Sequence, residues 1–143
     1  MFLIIFVLNL YEMADKLKIM EKRIDEINIL KKHIKTYQAL HPIYAEYKQS
    51  GNKEDFERQH RREIALYEAS HKYLSSVQNG GKLPSLESLN TELMELTEQK
   101  QKLYTDYRKG KKELAEMDII KSNVDTILNI PKQPEQEKSQ EID

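Results

Sequence analysis

The sequence predicts an all-α protein: an elongated helical hairpin or coiled coil of two long helices, with a third helix packed at one end. The strongest observation is a heptad repeat in the second half of the chain, in which ten of thirteen seam positions are apolar. A mean spacing of 3.5 residues is typical of a coiled-coil seam. The seam positions are Leu86, Leu89, Leu93, Leu96, Lys100, Leu103, Tyr107, Gly110, Leu114, Met117, Lys121, Val124 and Leu128. Since one helix cannot bury so narrow a stripe alone, this region is expected to pair with another helix.

Composition agrees with long helices that bury a thin core. The 143 residues leave room for one domain, 33% of them are charged, and the mean hydropathy is -0.76. Four glycines leave little material for hairpin turns, which argues against a sheet. The net charge of -1 gives the whole chain no nucleic-acid signature.

Three helices are predicted within a single helical domain of residues 13–130. Their ranges are about 13–48, 53–77 and 86–128. Asn52 and Ser85 are expected to cap the second and third helices, because their side chains can accept a hydrogen bond from a first-turn amide. Pro42 predicts a kink or an early end of the first helix near Leu40, because proline lacks an amide hydrogen. The tail 131–143 has one apolar residue and two prolines, which predicts disorder.

Residues 1–12 form an apolar N-terminal segment that begins MFLIIFVLNL. Its apolar run is about half the roughly 20 residues that a membrane-spanning helix needs. It also lacks the leading basic residues and the cleavage site of a secretory signal. We therefore expect no membrane span. The segment is interpreted as an apolar cap on the first helix or the product of an unusual start codon, with weak membrane association as the alternative. The chain has no cysteine, which favours a cytoplasmic location.

Aromatic residues indicate a small core where the first and second helices meet. Phe56 and Tyr44 are expected to lie close together and to be largely buried, because the short turn at residues 50–52 must fold the second helix back along the first. Arg58, Arg61 and Arg62 are expected to point to solvent.

No motif for enzymatic chemistry is present. The sequence contains no P-loop, dinucleotide fingerprint, nucleophile elbow or zinc-binding His-Glu-x-x-His helix. Two Glu-x-x-His pairs, Glu57 with His60 and Glu68 with His71, have the spacing of di-iron helix bundles. They lie about 16 Å apart along one helix and cannot share a metal centre. We therefore predict no enzymatic activity, no metal and no cofactor, and interpret these histidines as half-buried residues of an apolar stripe.

One segment of the third helix is strongly basic. Residues 100–112 contain six basic residues and a single acid, with Tyr104 and Tyr107 between them. The basic residues are Lys100, Lys102, Arg108, Lys109, Lys111 and Lys112. Cations with interleaved aromatic rings can bind a phosphate backbone and stack on bases, so these six are candidate contacts to DNA. The alternative is a solvated face that forms salt bridges with acids of the first helix.

Five stretches of the chain form a recognisable set. They are HIKTY (33–37), YAEYKQSG (44–51), FERQHRREIALYEASHK (56–72), GGKLPSLESLNTEL (80–93) and YTDYRKGKKELAEMDIIKSNVDTIL (104–128). Together they resemble the C-terminal helical region of relaxases, the mobilisation nucleases of conjugative plasmids and integrative elements in Gram-positive bacteria. Relaxases nick DNA with a tyrosine nucleophile and a histidine-lined metal site in an N-terminal domain, and this sequence has no counterpart of that site. The resemblance implies a remnant or a stand-alone version of the accessory region, without a catalytic residue.

These observations predict a non-catalytic helical interaction module that acts in, or is left over from, DNA mobilisation. Its protein partner would bind through the helical seam or the tip, nucleic acid would bind through Lys100–Lys112, and a homo-oligomer is compatible with the seam. The first alternative is a generic coiled-coil adaptor or scaffold unrelated to DNA transfer. The second is a helical enzyme with a carboxylate–histidine metal site.

Overall fold

The computed structural model describes residues 2–78 and 81–128, and these residues form helices joined by short connections. The helices are α1 (Phe2–Gln49), α2 (Lys53–Gln59), α3 (Arg61–Gln78) and α4 (Leu86–Ile127). None of the described residues lies in a strand, so the predicted all-α class is confirmed. The tail predicted to be disordered, residues 131–143, lies outside the described residues.

The first helix begins at Phe2, and the predicted start at Met13 is wrong. The apolar segment contains no proline or glycine, so nothing in it interrupts helical hydrogen bonds. It is also anchored by packing, since Leu10 is buried and lies against Gly110 of α4. The segment that we interpreted as a cap is therefore the first turns of α1 itself.

The first helix also continues through Pro42 to Gln49, instead of ending near Leu40. Proline removes one backbone hydrogen bond, and tertiary contacts on both sides of it offset that loss. Tyr37 precedes the proline and Tyr44 follows it, and both rings stack on Tyr67 of α3, at centroid distances of 4.9 and 4.2 Å. Tyr67 of α3 thus contacts α1 on both sides of Pro42.

The single helix predicted over residues 53–77 is wrong, because the chain forms two helices that meet at His60. The backbone of His60 leaves helical geometry, with φ -122° and ψ 30°. Its amide still donates to the Phe56 carbonyl, and its carbonyl accepts from the Ile64 amide. His60 therefore ends α2 and starts α3 without an unsatisfied backbone group.

The tip is assembled differently from the prediction for Phe56. Its ring lies tilted against that of His60 at 4.5 Å and stacks on Tyr47 at 6.1 Å, and it is half-buried. Tyr44 packs on Tyr67 instead, because α3 rather than the short α2 lies along α1. The three arginines at positions 58, 61 and 62 are exposed, as predicted.

Capping side chains fix the starts of α2 and α4. The Asn52 side chain accepts a hydrogen bond from the Asp55 amide at 3.1 Å. The Ser85 hydroxyl accepts one from the Ser88 amide, also at 3.1 Å. Each bond satisfies a first-turn donor that the helix cannot pair internally. Both predicted caps are confirmed, and α4 begins and ends within one residue of its predicted range.

The chain divides into two compact units. The central unit comprises Lys18–Lys100, and the terminal unit comprises Met1–Leu17 and Gln101–Asp143. In the central unit, α1, α3 and α4 build one core around Ile27, Leu74 and Leu89. Ile27 and Leu89 are 0% and 1% exposed, which makes them the best-buried side chains of that core.

The terminal unit pairs the first turns of α1 with the second half of α4. Leu10 and Leu17 are its buried apolar residues among those described. A Cβ atom built on Gly110 would lie 2.5 Å from Cδ2 of Leu10, so glycine allows a close helix approach at this seam position. None of the described helices contains a stretch that is both long and apolar enough to cross a membrane.

Candidate nucleic-acid interface

The basic segment predicted to contact DNA lies on one continuous stretch of α4. Five of its six cations are exposed and belong to the terminal unit. These five are Lys102, Arg108, Lys109, Lys111 and Lys112. With the single carboxylate of Asp106, residues 101–112 carry a net charge of +4.

Lys100, the sixth predicted residue, is separated from the other five by its environment. It is half-buried in the central unit, and its Nζ lies 3.6 Å from a carboxylate oxygen of Glu21 on α1. For this one residue, the alternative prediction of a salt bridge with the first helix is correct. Lys100 therefore leaves the candidate interface, which we define as the basic segment Lys102–Lys112.

Helical spacing arranges the basic segment as neighbouring stripes. Arg108 and Lys112 are four residues apart, and Lys102 and Lys109 are seven apart, so each pair shares a face of α4. The segment rises about 15 Å along the helix axis. A DNA duplex presents one phosphate charge about every 1.7 Å, so about nine phosphates lie within that length. The phosphates within that length therefore outnumber the five cations.

Two of the cations lie over tyrosine rings of the same helix. The Arg108 guanidinium is 5.8 Å from the centroid of the Tyr104 ring, and Lys111 Nζ is 5.5 Å from that of Tyr107. Each contact joins residues four apart, one turn along the helix. The electron-rich ring face holds the cation in place without neutralising its charge. Tyr104 is itself exposed, so its free edge and face can also receive a base.

The cations of the basic segment have no close carboxylate partner within residues 2–78 and 81–128. The ion pairs among those residues are Arg23 with Glu26, Arg23 with Glu92, and Lys100 with Glu21. The salt-bridged alternative therefore holds for Lys100 but not for the basic segment. What the segment can do chemically is bind anions by charge.

A second group of polar and aromatic side chains lies where α1 and α3 pack in the central unit. His33 Nδ1 is 3.0 Å from the hydroxyl of the buried Ser70, and His41 Nδ1 is 3.2 Å from that of Tyr67. The His33 ring also stacks on Tyr73 at 4.2 Å. Sequence reasoning assigned no role to His33 or His41 and missed their hydroxyl partners. The sequence feature that could have indicated these partners is the recurrence of serine and tyrosine on the stripe of α3 that faces α1.

Burial shifts the pKa values of two members of this group. It lowers the pKa of His33 below its usual 6.5, and the nearby Lys32 charge acts in the same direction. Burial and the neighbouring Tyr37 hydroxyl raise the pKa of Tyr67 to about 12. Both groups are therefore held neutral near pH 7, as suits hydrogen-bonded members of a core. The Ser70–His33 pair has no hydrogen-bonded carboxylate among the described residues, so the orienting third member of a catalytic triad is not assembled there.

The two Glu-x-x-His pairs do not belong to a metal-binding cluster within the described residues. The His60 ring is half-buried and lies tilted against the Phe56 ring. His71 is exposed, so the expected half-burial is wrong for this residue, and its ring stacks on Tyr37. Within residues 2–78 and 81–128, no group of three His, Cys, Asp or Glu side chains could hold a metal ion. These histidines take part in aromatic packing.

No family model matches the chain, and no curated protein or solved structure shows significant similarity to it.

Proposed function

We propose that this protein is a non-catalytic helical interaction module whose basic segment Lys102–Lys112 binds the DNA backbone. The module is related to the accessory region of conjugative relaxases and acts in the mobilisation of plasmid or integrative-element DNA. The proposal includes the arrangement expected from the sequence, two long helices in a hairpin with a third helix at one end, and a cytoplasmic location.

The main support for a DNA contact is that five cations are exposed along about 15 Å of one helix. Arg108 and Lys111 are already positioned over tyrosine rings, so their side chains lose little conformational freedom on contact with a phosphate backbone. Release of counterions from the DNA then drives binding. Arg108 is the one side chain of the segment with a planar guanidinium that can pair bidentately with a base edge, whereas the lysines act as point charges. We therefore expect binding with little sequence preference and strong dependence on salt.

The direct test is fluorescence anisotropy of labelled single-stranded and duplex oligonucleotides titrated with the full chain at several salt concentrations. The variant Arg108→Gln/Lys109→Gln/Lys112→Gln removes three cations and keeps polar helix formers. We expect weaker binding at low salt and, on the duplex, a logarithmic salt slope reduced by about 0.9 for each phosphate that the variant no longer neutralises.

A matched control removes the same charge from another surface. Lys18, Lys22 and Lys32 are exposed on α1 in the central unit, so changing all three to Gln gives an equal change in net charge. The proposal predicts that this control keeps the affinity and the salt slope. Equal losses in both variants, or no binding by the wild type at low salt, would contradict the DNA contact and favour the coiled-coil adaptor.

The adaptor alternative has an observation of its own. Within the terminal unit, large apolar side chains stay exposed on both helices, among them Phe2, Ile4, Ile120 and Ile127. Exposed apolar surface of this kind is typical of a protein contact. The two functions are separable, because substitutions in the basic segment leave these apolar residues intact. The link to mobilisation is tested by the genomic neighbourhood: transfer genes beside the coding sequence support it, and their absence favours the adaptor.

A further inference from the structure

The last turns of α4 carry an apolar stripe that the described residues leave uncovered. Ile120, Val124 and Ile127 are exposed, and Met117 at the start of the stripe is half-buried. Steps of three, four and three residues keep the four side chains on one face. This stripe differs from the predicted seam, which contains Lys121 and Leu128 in place of Ile120 and Ile127.

The other positions of these turns are mostly polar, the exceptions being Ile119 and Leu128. Asp118, Ser122 and Asp125 lie on the side opposite the stripe, as the helical period of 3.6 residues requires. Carboxylates beside an apolar stripe disfavour an anionic lipid surface, which attracts helices rich in lysine and arginine. A narrow stripe with polar flanks fits a second helix instead.

We propose that residues 117–128 of α4 pair with the same residues of a second copy of this chain, side by side and parallel. Met117 and Val124 then occupy heptad a positions, and Ile120 and Ile127 occupy d positions. The charged flanks decide the orientation. In a parallel pair, the g position of one helix faces the following e position of its partner. Here these positions are Glu116 and Lys121, so two opposite-charge pairs form by symmetry.

An antiparallel pair of the same stripes lacks this complementarity. Its flanking contacts join e with e and g with g, so Glu116 faces Asn123 or another Glu116, and Lys121 faces Leu128 or another Lys121. Like charges that face each other are unfavourable. Parallel pairing is therefore the orientation that the charges support.

The pairing segment is bounded on its N-terminal side. One heptad earlier, the a and d positions are Gly110 and Glu113, and neither can extend an apolar seam. Four apolar positions in each copy give a short contact, although α4 is already helical and loses little freedom on pairing. Association should therefore be reversible and dependent on protein concentration. It is also independent of the proposed DNA contact, because residues 117–128 contain none of the five cations.

Sedimentation equilibrium of the full chain over a wide concentration series tests the association. The wild type is expected to pass from monomer to dimer. Ile120→Asp should weaken association by about a hundredfold or more, because each copy would bury an unpaired carboxylate. The matched control is Ile119→Asp, since Ile119 is 60% exposed against 61% for Ile120 but lies off the stripe. Circular dichroism checks that both variants remain helical.

Disulfide formation tests the orientation in a chain that has no cysteine of its own. In the parallel pair, residue 120 faces its own copy, so Ile120→Cys should form a disulfide-linked dimer on mild oxidation and Ile119→Cys should not. In the antiparallel pair, residue 120 faces residue 124, so only a mixture of Ile120→Cys and Val124→Cys chains would cross-link.

Charge exchange gives a second measure of orientation. Glu116→Lys and Lys121→Glu should each weaken association, and the double variant should restore it. A wild type that stays monomeric at every concentration, equal effects of the Ile119→Asp and Ile120→Asp substitutions, or the antiparallel cross-linking pattern would overturn the proposal. Binding of a monomeric wild type to anionic phospholipid vesicles, abolished in Ile120→Asp, would also overturn it and assign the stripe to a lipid surface.

Discussion

The central and terminal units use the same two helices but bury them to different degrees. In the central unit, α3 covers α1 and α4, and Ile27, Leu74 and Leu89 become almost inaccessible. In the terminal unit, two helices bury Leu10 and Leu17 and leave many large apolar side chains exposed. A heptad seam thus covers one face of each of two paired helices. A core of almost inaccessible side chains forms only where a third helix packs against them.

The largest expected effect lies in the central core. Leu89→Ala should lower the free energy of unfolding by about 3 kcal/mol, because it removes a fully buried side chain and leaves a cavity. Urea denaturation followed by far-ultraviolet circular dichroism measures the change. Ile19→Ala is the control, since Ile19 is exposed on α1. A loss no larger than that of the control would mean that Leu89 does not lie in a packed core.

The close helix approach of the terminal unit is tested by Gly110→Ala. Alanine favours a helix over glycine by about 1 kcal/mol, but its Cβ would collide with Leu10, and overpacking costs about 1–3 kcal/mol. We expect a net loss of about 1 kcal/mol in the free energy of unfolding. Adding Leu10→Ala should make the two changes non-additive, since it removes the collision. A stabilised Gly110→Ala protein would show that the helices are not in close contact there.

A smaller effect is expected from the ion pair between Arg23 and Glu92 in the central unit. The guanidinium faces the carboxylate with two nitrogen atoms, the shorter contact being 2.9 Å, but the side chains are 42% and 39% exposed. A double-mutant cycle to alanine should give a coupling of about 0.5 kcal/mol that falls with salt. The longer contact of Lys100 with Glu21 should give less. Equal couplings would argue against a contribution from the bidentate geometry.

The pH dependence of stability should carry a small contribution from His33. Its pKa is lowered by burial in the folded chain, so the unfolded chain binds the proton first as pH falls. The contribution is therefore complete above about pH 6.5 and is lost as pH falls through the folded pKa. His33→Asn can keep the hydrogen bond to Ser70 and should flatten the pH profile of the unfolding free energy below pH 6.5. An unchanged slope in that variant would assign the dependence to other groups.

Local chemistry made α4 predictable from the sequence. Ser85 supplies a cap whose hydrogen bond needs no tertiary partner, and apolar residues occupy ten of the thirteen heptad positions. The start of α1 was not predictable in this way, because an apolar run without charges shows no helical period and has no cap. The break at His60 was missed for a different reason: no glycine or proline marks it, and it depends on how α2 and α3 pack.

The basic segment was predictable only as a count of charges. The sequence shows six cations in thirteen residues, but the pairing of Lys100 with Glu21 depends on contact between residues far apart in the chain. Likewise, helical periodicity places His33 and Ser70 on facing stripes without fixing the register that joins them. Those contacts are set by packing, which a periodic pattern leaves open.

The distribution of tyrosines gives the protein a spectroscopic reporter for one unit. The chain has no tryptophan, and five of its eight tyrosines belong to the central unit. Tyr37, Tyr44 and Tyr67 stack there in an asymmetric environment, whereas Tyr11 and Tyr104 of the terminal unit are exposed. Near-ultraviolet circular dichroism will therefore follow tertiary packing of the central unit, while far-ultraviolet signals follow all the helices. Melting of the terminal unit alone would lower the second signal and leave the first almost unchanged.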